Sequence, residues 1–140
     1  MLSAGLSSKT FSFLRQSYET TTTTYADTGL LVTTRPNTTY FLDCTMRVED
    51  TGDGLDFKLV SSNTLDTYYL TYDYDGVNQG GVAINSTHTL AASSSVTVVH
   101  IWGCVRTAAA TVLNLQAKKL TDLFDPTQLS AGAYLRLVKE

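Results

Sequence analysis

The sequence predicts an all-β protein: an antiparallel β-sandwich of jelly-roll type carrying a short N-terminal arm. Three observations lead there. Short runs of β-branched and aromatic residues alternate with polar ones at period two, the mark of strands with one face buried. Turn chemistry separates these runs at close spacing, giving about eight strands and almost no helix, a pattern of antiparallel sandwiches. Only 16% of the 140 residues are charged, while Thr, Ser and Tyr abound, as expected of strands with wet outer faces.

The stretch 96–119, VTVVHIWGCVRTAAATVLNLQAKK, organises the reading. Its first half is rich in β-branched residues, which suit a pleated surface. That half is apolar on both faces, as a central strand between two covering layers would be. In the second half Val112, Asn114, Gln116 and Lys118 point one way, and Leu113, Leu115 and Ala117 the other. Neither half has the spacing of three and four that a helix requires. With the small-residue turn at 107–110, the two halves read as the core hairpin.

From the N-terminus, residues 1–9 are small and polar and read as a loose arm. Phe11, Phe13 and Leu14 then place apolar weight on a short segment. Two placements are open for it: a first strand of the domain, or an arm that docks on a neighbouring protein. The division adopted is an arm over 1–17 and a sandwich domain over 18–140. Five threonines at 20–24 favour extended chain over helix, and a strand is expected to lead into Gly29. Arg35-Pro36-Asn37 is turn chemistry. Residues 38–48 alternate most clearly, with Tyr40, Leu42, Cys44, Met46 and Val48 on one face and Phe41, Asp43, Thr45 and Arg47 on the other. EDTGDG at 49–54 reads as a hairpin turn into a strand at 55–61, where Leu55, Phe57 and Leu59 face in. A strand at 66–74 sets Tyr68, Leu70, Tyr72 and Tyr74 on one face. Residues 75–81 read as a loop, with short edge strands at 82–84 and 87–90. Residues 91–95 form a polar connection. The segment 120–129 carries Asp-Pro and reads as a loop with a possible helical turn, before a last strand at 133–138.

Composition excludes several function classes. A formal net charge of -3 offers no basic footprint for nucleic acid. There is no apolar run of about eighteen residues to span a membrane, and the first residues lack the charged start and apolar core of a secretory signal. Cys44 and Cys104 both lie in apolar strand patterns and read as buried free thiols; two cysteines alone do not make a disulfide framework.

No catalytic or metal chemistry emerges. His88 and His100 have no partner at zinc-ligand spacing. Asp50, Asp53 and Asp56 with Gly54 form an acidic turn, but not in the order of an EF-hand loop, so a solvated turn is favoured over bound calcium. Asp73, Asp75 and Gly76 read the same way. No serine sits in a Gly-x-Ser-x-Gly elbow, there is no phosphate loop, and His100 reads as a buried neutral histidine rather than a general base. Asn37-Thr38-Thr39 and Asn85-Ser86-Thr87 match the glycosylation pattern, a match taken as chance. The expectation is a protein that is not an enzyme and holds no cofactor or metal. The tyrosines at 68, 69, 72 and 74 are either contact residues or core residues with hydroxyls at the rim.

The segments TGLLVTTRPNTTYFLDCTMRV, IWGCVRTAAATVLNLQAKK and LSAGAYLRLVKE resemble a family of tailed-phage virion proteins. In that family an Asn/Thr-rich turn precedes a tyrosine-bearing strand. An Ile-x-Gly-x-Val-x-Thr strand, a small-residue turn and a Leu-x-Leu-Gln strand follow, and a Gly-(Ser/Ala)-Tyr-Leu strand closes the fold. The resemblance covers about residues 25–140 and departs at the turn, where Thr-Ala-Ala-Ala stands in place of a glycine. It implies a trimeric TNF/C1q-type jelly roll that decorates a phage head or ends a fibre. A capsid decoration (cement) protein is preferred, bound to the major capsid protein on the virion surface after synthesis in the host cytoplasm. The alternatives are a fibre or receptor-binding domain contacting a host glycan or protein, and, behind it, a cellular TNF/C1q-like ligand. On this reading Phe11, Phe13 and Leu14 are candidate capsid contacts, and Tyr40, Tyr72, His100, Trp102 and Tyr134 are candidate trimer contacts.

Overall fold

A computed structural model describes residues 9–20, 22–49, 54–90, 96–120 and 127–140. Twelve strands appear: β1 (Phe11–Phe13), β2 (Tyr18–Thr20), β3 (Ala26–Thr33), β4 (Thr38–Glu49), β5 (Leu55–Ser61), β6 (Thr67–Tyr74), β7 (Val77–Gly81), β8 (His88–Leu90), β9 (Val96–Thr107), β10 (Val112–Lys119), β11 (Thr127–Leu129) and β12 (Tyr134–Lys139). They form two antiparallel sheets packed as a sandwich. The larger runs β1-β12-β4-β9-β6-β7, with β11 joining β4 to β2 beyond the end of β12; the smaller runs β3-β10-β5-β8.

The core lies between the sheets and is filled by the inward halves of the alternating strands. Tyr40, Leu42, Cys44, Met46 and Val48 of β4 meet Leu55, Phe57 and Leu59 of β5 and Leu113, Leu115 and Ala117 of β10. The faces assigned to these strands from alternation are the faces observed. The Tyr40 hydroxyl, buried at this depth, accepts the Arg35 N–H at 2.9 Å, which satisfies a polar group that would otherwise be costly to bury.

Pairing differs from the sequence reading at four places. First, β9 and β10 are not a hairpin: β9 pairs with β4 and β6, and β10 with β3 and β5. A tight hairpin needs positive φ in its turn, and none of residues 108–111 has it. At about 3.3 Å per residue this linker is long enough to cross the ~10 Å between packed sheets. Polar groups hold it: Thr34 and Thr111 exchange hydrogen bonds, and Asn63 Nδ2 donates to the Ala110 carbonyl at 2.8 Å. Second, the connection after β4 also passes between sheets, since β4 and β5 belong to different ones; its residues 50–53, with Asp50 and Asp53, lie outside the described residues, as do 91–95 and 121–126. Third, β7 covers residues read as loop, whereas 82–84 is not a strand. Asp75 (φ 50°) and Gly76 (φ 84°) supply the two positive φ values of a two-residue turn, making β6–β7 the one pair of chain-adjacent strands, among those described, that bond to each other.

Fourth, residues 9–14 are no separate arm. β1 pairs with β12 at the sheet edge, Phe11 opposite Arg136 and Phe13 opposite Tyr134. Lys9 bonds to Thr33 through both N–H and carbonyl, and Leu14 exchanges backbone hydrogen bonds with Ala133 and Gly132. Its side chain, 8% exposed, belongs to the core. Residues 1–8 lie outside the described residues.

Candidate functional site

The outer faces of the two sheets differ in chemistry. On the smaller sheet most polar groups satisfy one another, Asn114 Oδ1 being an exception. Asp27 accepts from Asn114 Nδ2 at 2.6 Å and Gln116 Nε2 at 2.9 Å; these bonds hold its carboxyl below the usual range. Asp56 accepts from Thr89 at 2.6 Å and faces Lys118 at 3.7 Å, and the Lys58 ammonium lies 4.2 Å from the centre of the Tyr25 ring.

The larger sheet turns an aromatic and aliphatic surface outward. β9 is buried on one face only: Val99, Ile101 and Val105 fill the core, while Val96, Val98, His100, Trp102 and Cys104 line the outside. The second covering layer expected over this strand is absent among the described residues. Register places successive rows across the sheet. One row runs Phe11, Arg136, Asp43, Trp102, Thr71; the next runs Phe13, Tyr134, Thr45, His100, Asp73. Phe11 (49% exposed), Phe13 (46%) and Tyr69 (77%) stand clear of the surface, joined by Phe41, Val98 and Val138. Phe11 stacks on Tyr134 with centroids 6.2 Å apart, and His100 on Trp102 at 4.7 Å.

At the centre of this surface sits Asp43, a buried carboxylate that three outward side chains satisfy. His100 Nε2 donates to Oδ1 at 2.8 Å, and Arg136 Nη2 and the Tyr134 hydroxyl donate to Oδ2 at 2.9 and 3.2 Å. Thr45 Oγ1 in turn donates to the Tyr134 oxygen at 3.2 Å. The donors come from β9 and β12, which flank β4 on its two sides. Cross-strand bonding of this kind fixes rotamers of side chains that would otherwise be free to move, giving a rigid polar centre inside an apolar rim.

The sequence-derived candidates separate cleanly on this framework. His100, Trp102 and Tyr134 share the outer face with Phe11 and Phe13, although the two groups were assigned to different partners. Tyr40 and Leu14 are corrected: both point into the core, so neither is available to a partner. Tyr72 also turns inward, edge-on to Phe57 with centroids 5.9 Å apart and packed on the core. Tyr68 and Tyr74 project to that side as well, with the Tyr74 hydroxyl donating to the Thr89 carbonyl at 2.7 Å, and Tyr69 alone of the four faces out. Cys104, read as buried, is half-exposed on the outer face, its thiol 3.6 Å from Glu140. Cys44 is buried on the opposite face of the sheet, so the two sulfurs do not meet. Asp43 and Arg136, not singled out from sequence, are the residues that order the surface.

Catalytic and ligand geometry is sparse. Among the described residues no three His, Cys, Asp or Glu side chains gather to hold a metal ion. An open cleft of about 220 Å³ at the end of the outer face is lined by Thr39, Tyr69, Cys104 and Arg106 among others. Its cation, Arg106, is already engaged by Asp66 at 3.0 Å and Thr39 at 3.2 Å. Asn37 and Asn85 of the two glycosylation patterns occupy left-handed turn positions, φ 50° and 64°, a conformation asparagine tolerates well. Asn85 Oδ1 also accepts the Ser61 N–H at 3.0 Å. Compared with known proteins, the chain matches no family model and no curated protein.

Proposed function

We propose that this chain is a structural protein of a phage virion, a decoration protein that assembles as a homotrimer and binds the outer surface of the head. One observation carries the reading: among the described residues, nothing covers the aromatic and aliphatic side chains that ring Asp43 on the outer face of the larger sheet. Patches of this kind mark interaction sites, and tyrosine, tryptophan, phenylalanine and arginine, all present here, are the residues enriched at protein interfaces. The resemblance of its strand segments to those of tailed-phage virion proteins supports the same reading and suggests its particular setting. The polar outer face of the smaller sheet suits the solvent side of such a particle. Burial of the aromatic face against other protein would remove an aggregation hazard that a free monomer carries.

The test has two parts. Light scattering on the purified chain should give a trimer at micromolar concentration. Electron microscopy of heads assembled without the protein, then incubated with it, should show added density at repeated surface sites. A stable monomer with no trimer on the particle, or heads that stay bare, would refute the proposal.

A further inference from the structure

We draw no further inference here: the strongest candidate, the open cleft between Tyr69 and Arg106 at the end of the outer face of the larger sheet, carries nothing because Asp66 and Thr39 already engage its guanidinium and nothing in the structure shows what covers it.

Discussion

Replacing Gly103 by alanine should damage this fold more than any other single-methyl addition at its described glycines. Gly103 lies mid-way along β9, opposite Leu42 on one side and Leu70 on the other. Its φ of 147° is a backbone conformation that residues with a Cβ rarely adopt. A Cβ built there would stand 2.0 Å from the Tyr69 carbonyl oxygen and 3.0 Å from Leu70 Cα. Both are backbone atoms of a paired strand, so no side-chain rotation relieves the overlap. Strain at such a φ costs about 1–3 kcal/mol. Moving β6 by more than an ångström forfeits two or so ladder hydrogen bonds, each worth about 0.5–1.5 kcal/mol net. Together these give a loss of about 4 kcal/mol, which for a chain of this size lowers the melting temperature by about 12 °C or more. Gly76→Ala is the control. Its φ of 84° carries strain, but nothing lies within 4 Å of the added carbon, so about 1 kcal/mol is expected. Urea and thermal denaturation of both variants decide the matter. A Gly103→Ala protein within 1 kcal/mol of Gly76→Ala would mean that β6 does not approach β9 in this way.

Three further outcomes follow from the packing. Leu14→Ala should cost about 2–4 kcal/mol by opening the core, whereas Phe11→Ala and Phe13→Ala should leave the melt of the unassembled chain nearly unchanged and weaken assembly; equal losses in all three melts would contradict the opposite orientations within 11–14. In the native state one thiol should react slowly with a disulfide reagent at pH 8 and both in denaturant: burial, with the nearby Asp43 charge, pushes the Cys44 thiol up to about 12, whereas Cys104, also raised by burial and by Glu140, is partly exposed. Reductant should not shift the melt. Asp27 has a folded-state pKa below its unfolded one because Gln116 and Asn114 bond its carboxylate, so its contribution is present above the unfolded value, near 4, and is lost as pH falls through the folded value. Asp27→Asn should therefore flatten the acid side of the stability–pH curve, and an unchanged acid limb would sink that assignment.

Strand faces were legible in the sequence because alternation is a local property: in β4 and β5 the inward residues of 40–48 and 55–59 are apolar and buried, with the outward Asp43 and Asp56 buried beside them. Strand partners were not legible. Which sheet takes β10 depends on the reach of residues 108–111 across the core, and nothing within VLNLQAKK records it. β7 escaped notice because NQGG is exposed on both sides and shows no alternation, although the Asp75-Gly76 pair before it is a hairpin signal. At β1 the usual rule inverts. Ser12 is buried, donating to the Gly29 carbonyl and accepting from Leu31 N–H, both at 3.2 Å, while its phenylalanine neighbours face out. Apolar weight alone drew attention to the segment but could not show that Phe11 and Phe13 face out while Leu14 turns into the core. The Asp43 cluster draws on residues 43, 100, 134 and 136, which only the strand order unites.

The placement of Asp43 bears on what the aromatic face can do. A purely apolar sheet face accepts many registers, because sliding by one strand or two residues still buries carbon against carbon. A buried carboxylate at its centre changes that. Its donors His100 and Arg136 keep about two-fifths and one-half of their side-chain surface exposed, so an approaching apolar surface would strip water from both. Desolvating such groups is costly unless they find polar partners, and only a partner presenting acceptors at that spot provides them. The rim therefore supplies affinity with little discrimination, and the centre supplies discrimination. Among the described residues the outer face of the smaller sheet carries no exposed large apolar side chain; Asn114, Gln116 and Lys118 occupy outward positions on β10 beside the partly buried Val112. One sandwich thus presents one face suited to protein and one suited to water, and in the proposed assembly that difference would set its orientation.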